Sequence, residues 1–150
     1  MNKRSVRLKP IEKLAEDKEK LAVTDMLLAR EEQHSQQKKL NELVQYRAEY
    51  IEQFQSRGKQ GMQANQVQQY QQFIHQLDLA IKQQKITLKR TEQVLDERQN
   101  QWLNKNSHKR AMNKVVSRYQ KEESQALDNT EQRDNDERNT QIHNQKNQEK

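Results

Sequence analysis

FQSRGKQGMQANQV, the stretch Phe54–Val67, holds both glycines of a 150-residue chain. On either side lies long polar sequence whose only proline is Pro10, with apolar residues at helical spacing. The stretch therefore predicts the tip of a hairpin. Gly58 and Gly61 would set a turn at about 56–65, where two long helices meet and pack back to back. Composition agrees. Hydrophobic residues are 30% and charged residues 33%, and the common residues Gln, Lys, Arg and Glu are good helix formers. Such a chain forms long helices with a narrow apolar seam, or stays unfolded. Periodicity favours helices.

After the glycines, Val67, Ile74, Ile81, Leu88, Leu95 and Trp102 each follow the last by seven residues. Tyr70 and Leu77 fill the intermediate positions, followed by Gln84, Thr91 and Arg98. A seven-residue recurrence is the coiled-coil signal. Before the glycines, Leu40, Val44, Arg47, Ile51 and Phe54 form the matching ladder. Pairing Phe54 with Val67, Ile51 with Tyr70, Arg47 with Ile74, Val44 with Leu77 and Leu40 with Ile81 gives residue numbers that all sum to 121. A parallel dimer of long helices does not require that agreement, whereas an antiparallel hairpin does. The predicted fold is all-α, a long antiparallel two-helix coiled coil with frayed or disordered termini. Arg47 in the seam reads as a register device whose stem packs while its head reaches water.

Further from the tip the pattern is weaker. Leu14, Leu21 and Leu28 recur at seven, flanked by Ala15, Ala22 and Ala29. Residues 30–39 contain no apolar residue, and Leu28 to Leu40 spans twelve positions. A register slip with a local bend is expected there. Residues 1–10 read as a basic, frayed arm ending at Pro10, which suits the first turn of a helix beginning near Ile11. The hairpin would occupy 11–127. Residues 128–150 hold one apolar residue, Ile142, so a polar tail, frayed or disordered, is expected.

The chemistry is as informative for what it excludes. Without cysteine, disulfides and thiolate metal sites are ruled out. His34, His75, His108 and His143 never pair at helical metal-ligand spacing, so no metal is expected. There is no phosphate-binding glycine loop, and adjacent carboxylates such as Glu122–Glu123 lack the enclosing cleft that tunes an acid or base. The chain reads as a non-enzyme with no cofactor. No apolar run is long enough to cross a membrane, and the basic N-terminus lacks the apolar core of a signal peptide, so a cytoplasmic location is expected. The net charge of +6 is spread among glutamates, as on a solvated coiled-coil surface.

The register leaves residues unused. Lys39, Leu43, Tyr46 and Tyr50 form one stripe, and Phe73, Leu77, Ala80 and Gln84 a second. Pairing Tyr50 with Phe73, Tyr46 with Leu77, Leu43 with Ala80 and Lys39 with Gln84 gives sums of 123, so the stripes lie side by side. They would broaden the seam or form an aromatic patch of the kind that marks protein interfaces. Leu77 fits the seam better. Tyr46, Tyr50 and Phe73, three of the seven aromatics, fit the patch better.

LNELVQYRAEYIEQF (40–54), NQVQQYQQFIHQLDLAIKQQ (65–84) and IEKLAEDKEKLA (11–22) resemble the FliJ family, small coiled-coil proteins of the bacterial flagellar type III export apparatus. The YQQFI and QYRAEY motifs are the specific part, and the resemblance covers about residues 8–120. It implies a hairpin similar to the central stalk of rotary ATP synthases. It also implies three sets of partners: the hexameric export ATPase, entered by the terminal end of the coiled coil; the cytoplasmic domain of the export-gate membrane protein; and export chaperones. Its location would be cytoplasmic, peripheral to the inner membrane at the flagellar base. The family's gate-binding face falls on Leu43, Tyr46, Tyr50, Phe73, Leu77 and Ala80. Lys39 and Gln84 take its outer positions with departing residue types. Trp102 reads either as a seam residue near Leu21 or as an ATPase contact. The alternative reading is a basic helical hairpin on structured RNA, supported by the charge and by Lys3, Arg4, Arg7 and Lys9. It requires a one-sided Lys/Arg stripe, and the sequence read along its length shows none.

Overall fold

The computed structural model describes residues 3–149. It consists of two helices, α1 (Arg4–Gln60) and α2 (Ala64–Gln148), packed as a helical hairpin, with no strand among the described residues. The chain divides into a tip unit, Leu21–Leu103, and a terminal unit, Met1–Lys20 with Asn104–Lys150.

The turn is tighter than expected. α1 runs through Gly58 to Gln60, and only Gly61 takes a positive φ, +95°. Its N–H donates to the Gly58 carbonyl at 3.2 Å, closing α1 with the left-handed residue that commonly ends a helix. Gly58 is helical, with no atom within 4 Å of where a Cβ would stand, so it does not set the turn. α2 opens with half of a capping box: the Gln63 N–H donates to Gln66 Oε1 at 3.3 Å.

In the tip unit, the less exposed positions of α1 include Ala22, Met26, Ala29, Gln33, Gln36, Leu40, Leu43, Arg47, Tyr50 and Phe54. These alternate steps of four and three without interruption, so the expected slip between Leu28 and Leu40 is absent. Leu21 and Leu28 stand 67% and 60% exposed, and Leu14, in the terminal unit, is exposed as well. The reason is phase. Counting back two heptads from Leu40 reaches Met26, not Leu28. A seam also needs two residues per heptad, and four positions beyond Leu14, Leu21 and Leu28 lie Lys18, Asp25 and Glu32. The alanines beside the leucines are the seam. Gln33 and Gln36 carry it through the apolar gap. Gln36 is buried, and Gln84 Nε2 donates both to its carbonyl at 3.0 Å and to its Oε1 at 2.7 Å.

The same phase corrects the ladder nearer the tip. Val44 is exposed and Leu43 takes its seam position. Ile51 lies half-buried on the flank, and Tyr50 occupies the seam. Arg47 does not simply reach water: its Nε donates to Asp78 Oδ1 at 2.5 Å. On α2, Leu77, Ile81 and Leu88 are buried, and Val67, Tyr70, Ile74, Gln84, Leu95 and Trp102 are half-buried. Ring contacts place Tyr70 between Tyr50 and Phe54, and Phe73 between Tyr46 and Tyr50. Those levels match the antiparallel register read from the sequence.

In the terminal unit, Ser5, Ala15 and Val116 are buried, with Leu8, Met112 and Tyr119 half-buried around them. The heptad series on α2 continues at Lys109, Val116 and Glu123. Its polar members have partners on α1. Lys109 Nζ lies 3.5 Å from Glu19, and Glu123 accepts hydrogen bonds from Ser5 N–H at 3.1 Å and Ser5 Oγ at 2.5 Å. The Glu123 carboxylate thus caps the N-terminus of α1, which has no acidic residue in its own first turn. α1 accordingly begins at Arg4 rather than near Ile11, and Pro10 lies inside the helix. The helical residues 4–9 correct the expected arm; Met1 and Asn2 lie outside the described residues. α2 remains helical to Gln148, with every residue from Ser124 to Glu149 exposed.

Candidate protein-interaction face

Five aromatic rings from both helices meet in the tip unit. Tyr50 is the hub, with ring centroids 4.5 Å from Phe73, 4.9 Å from Tyr70 and 6.3 Å from Tyr46. Tyr46 meets Phe73 edge-on at 6.0 Å and 89°, the geometry that the aromatic quadrupole favours. Phe54 extends the cluster through Tyr70 at 5.3 Å, and the Arg57 guanidinium lies 6.0 Å from the Tyr70 ring. The heptad explains the grouping. Tyr50, Phe54 and Tyr70 are seam positions, and Tyr46 and Phe73 lie on the same flank of it. Burial raises the Tyr50 hydroxyl above its usual titration range, with the neighbouring Tyr70 and Tyr46 adding to the shift.

The eight residues expected on one face separate by exposure. Tyr46 is 47% exposed, and Lys39 and Ala80 are exposed beside the cluster. Leu43, Tyr50 and Phe73 are half-buried, so each shows one edge outward and packs with the other. Leu77 is 6% exposed and belongs to the seam. Gln84 is turned inward by its two bonds to Gln36. Sequence reasoning divided the aromatics between seam and patch, whereas the structure makes them one cluster. The signal was available, since Phe54 and Tyr70 stand one seam layer apart in the register. Among the described residues no group of three or more His, Asp or Glu side chains converges as a metal site would, and the cluster offers no nucleophile beside a base. What it offers chemically is a rigid, largely apolar edge with phenol groups for hydrogen bonding.

The family model for the flagellar FliJ protein matches residues 3–148. The chain belongs to the FliJ family. The match extends beyond the segments that carried the resemblance, through the exposed end of α2. FliJ proteins are non-catalytic components of flagellar protein export, and their partners lie in the flagellar export apparatus. No curated protein and no solved structure matches this FliJ chain. Neither helix has a segment long and apolar enough to cross a membrane among the described residues.

Proposed function

We propose that this FliJ protein is a non-enzymatic stalk and escort of flagellar export. It links the export ATPase ring to the export gate and promotes delivery of substrates or their chaperones. It works in the cytoplasm, held peripherally at the inner membrane by the gate. The observation that carries this reading is the aromatic cluster with Tyr46 half open at its edge. A contiguous aromatic edge on an otherwise polar surface is the kind of patch that marks an interaction site. The gate-binding face centres on Tyr46, with Leu43, Tyr50, Phe73 and Ala80 around it, Leu77 supporting it from the seam, and Lys39 at its margin. Gln84 acts in register rather than in gate contact. The terminal end of the coiled coil is assigned to the ATPase.

The test is Tyr46→Ala in the full chain, because Tyr46 is the most exposed of the five rings. Binding to the gate's cytoplasmic domain should weaken by about tenfold, the loss of a modest interface anchor. Swimming should decline, with helicity unchanged by circular dichroism. Unchanged gate binding would remove this face from the interface. Retained gate binding together with lost ATPase binding would assign the face to the other partner.

A further inference from the structure

The even mixing of charge fails at one place. Residues 3–11 and 110–121 contain no Asp or Glu, but carry eight Lys and Arg residues. Four of these, Arg110, Lys114, Arg118 and Lys121, follow one another on α2 at steps of four, four and three, and all are exposed. That spacing makes one stripe. It lies on the side of α2 opposite Met112, Val116 and Tyr119, the residues that pack toward α1. No carboxylate pairs with any of the four among the described residues; the Arg118 guanidinium rests 5.5 Å from the Tyr119 ring.

Immediately beyond, the sign reverses. From Asp128 to Arg138, α2 carries five carboxylates against two guanidiniums. This segment is helical and exposed on every side. The basic stripe and the acidic segment are adjacent on one helix, so a second copy laid antiparallel brings each against the other twice. With the crossing at Ser124 and Gln125, Lys121 stands level with Asp128, Arg118 with Glu131, and Lys114 with the turn holding Asp136. At about 100° per residue Asp128 and Asp136 share the side of the basic stripe and Glu131 borders it, whereas Asp134 and Glu137 lie on the other side. The uncharged Ser124 and Gln125 sit where like charges would otherwise meet their symmetry mates.

We propose that the exposed side of α2, from about Lys114 to Asp136, is an interface with a second copy of this chain, forming a symmetric antiparallel dimer. Symmetry requires a self-complementary patch, and a basic stripe matched across a point by Asp128, Glu131 and Asp136 on or beside the same side is self-complementary. The contact is made of exposed ion pairs, so it is weak and salt-sensitive.

Sedimentation equilibrium of the full chain tests this. At low ionic strength a dimer should form with a dissociation constant on the order of 100 μM, weakening about tenfold or more near 0.5 M salt. The variant carrying Lys114→Glu, Arg118→Glu and Lys121→Glu should be monomeric, as should the variant carrying Asp128→Lys, Glu131→Lys and Asp136→Lys. An equimolar mixture of the two should recover the dimer, because each reversed segment then faces its complement. A monomer at all concentrations at low salt overturns the proposal. So does a dimer that survives either reversal, or a mixture that stays monomeric. If the first variant loses salt-dependent binding to RNA while self-association is unchanged, the stripe belongs to nucleic acid instead.

Discussion

Replacing Leu88 and Leu28 by alanine, one at a time, distinguishes the two possible seams of this coiled coil. Both leucines belong to seven-residue ladders in the sequence. Leu88 is 7% exposed and Leu28 is 60% exposed. Leu→Ala removes three carbons, each contributing about 0.8 kcal/mol when buried. Leu88→Ala therefore loses about 2.4 kcal/mol of transfer free energy, nearly all of it realised at that burial. A two-helix seam is open to water along both flanks, so the cavity collapses or fills. The total should stay near the low end of the core range, about 2–3 kcal/mol. Leu28→Ala realises about two-fifths of the same transfer term, roughly 1 kcal/mol, reduced further by the higher helix propensity of alanine. In a chain of this size, about 1 kcal/mol corresponds to a shift of about 2–4 °C in Tm. Leu88→Ala should thus lower Tm by about 5–10 °C, and Leu28→Ala by about 3 °C or less. Thermal melts followed by far-ultraviolet circular dichroism, supported by urea midpoints with unchanged slopes, measure both. Equal losses, or a larger loss for Leu28→Ala, would place the leucine ladder in the seam and refute the alanine-lined phase of α1. Leu21→Ala repeats the test at a second exposed rung.

Gln36→Ala leaves the Gln84 amide without its two acceptor atoms' full set, and should cost about 1–3 kcal/mol in urea denaturation; Gln36→Leu with Gln84→Leu should recover most of that while loosening register, seen as mixed oligomers in light scattering. Glu123 is held below its ordinary carboxylate range, first by the Ser5 hydroxyl and then by the Ser5 N–H, Lys3 and the Arg4 N–H, against opposing desolvation. A depressed folded-state pKa gives stability that is present above the unfolded value and lost as pH falls through the folded one. Glu123→Gln should therefore lower Tm at neutral pH and flatten its fall below about pH 4.5, the ordinary value for this group; an unchanged acid limb would show that the cap contributes nothing. At the tip, Gly61→Ala should destabilise by about 1–2 kcal/mol because of its positive φ, whereas Gly58→Ala, in an open helical position, should stabilise by about 0.4–1 kcal/mol. Equal effects at the two glycines in thermal melts would contradict their different conformations.

The hairpin, its antiparallel register and the absence of an apolar span long enough for a membrane were legible in the sequence by itself. Gly61 and the ladder from Val67 to Trp102 determine the first two, because a seven-residue recurrence beside a single break leaves few other arrangements, and the lack of a long apolar run determines the third. The family, too, could be read from the motifs around Tyr46, Tyr50 and Tyr70. Three things required the tertiary structure. Which residues of α1 face α2 depends on helix phase carried over many turns, and large exposed leucines outweigh small buried alanines in any reading by hydrophobicity. The aromatic cluster depends on a flank shared by two helices, so Leu43 and Tyr50 belong both to the seam and to the candidate face. The start of α1 depends on a carboxylate more than a hundred residues away, since Glu123 reaches Ser5 only once the chain has folded back. Local sequence sets most of where the helices run; phase and long-range partners decide where α1 starts and which sides of the helices meet.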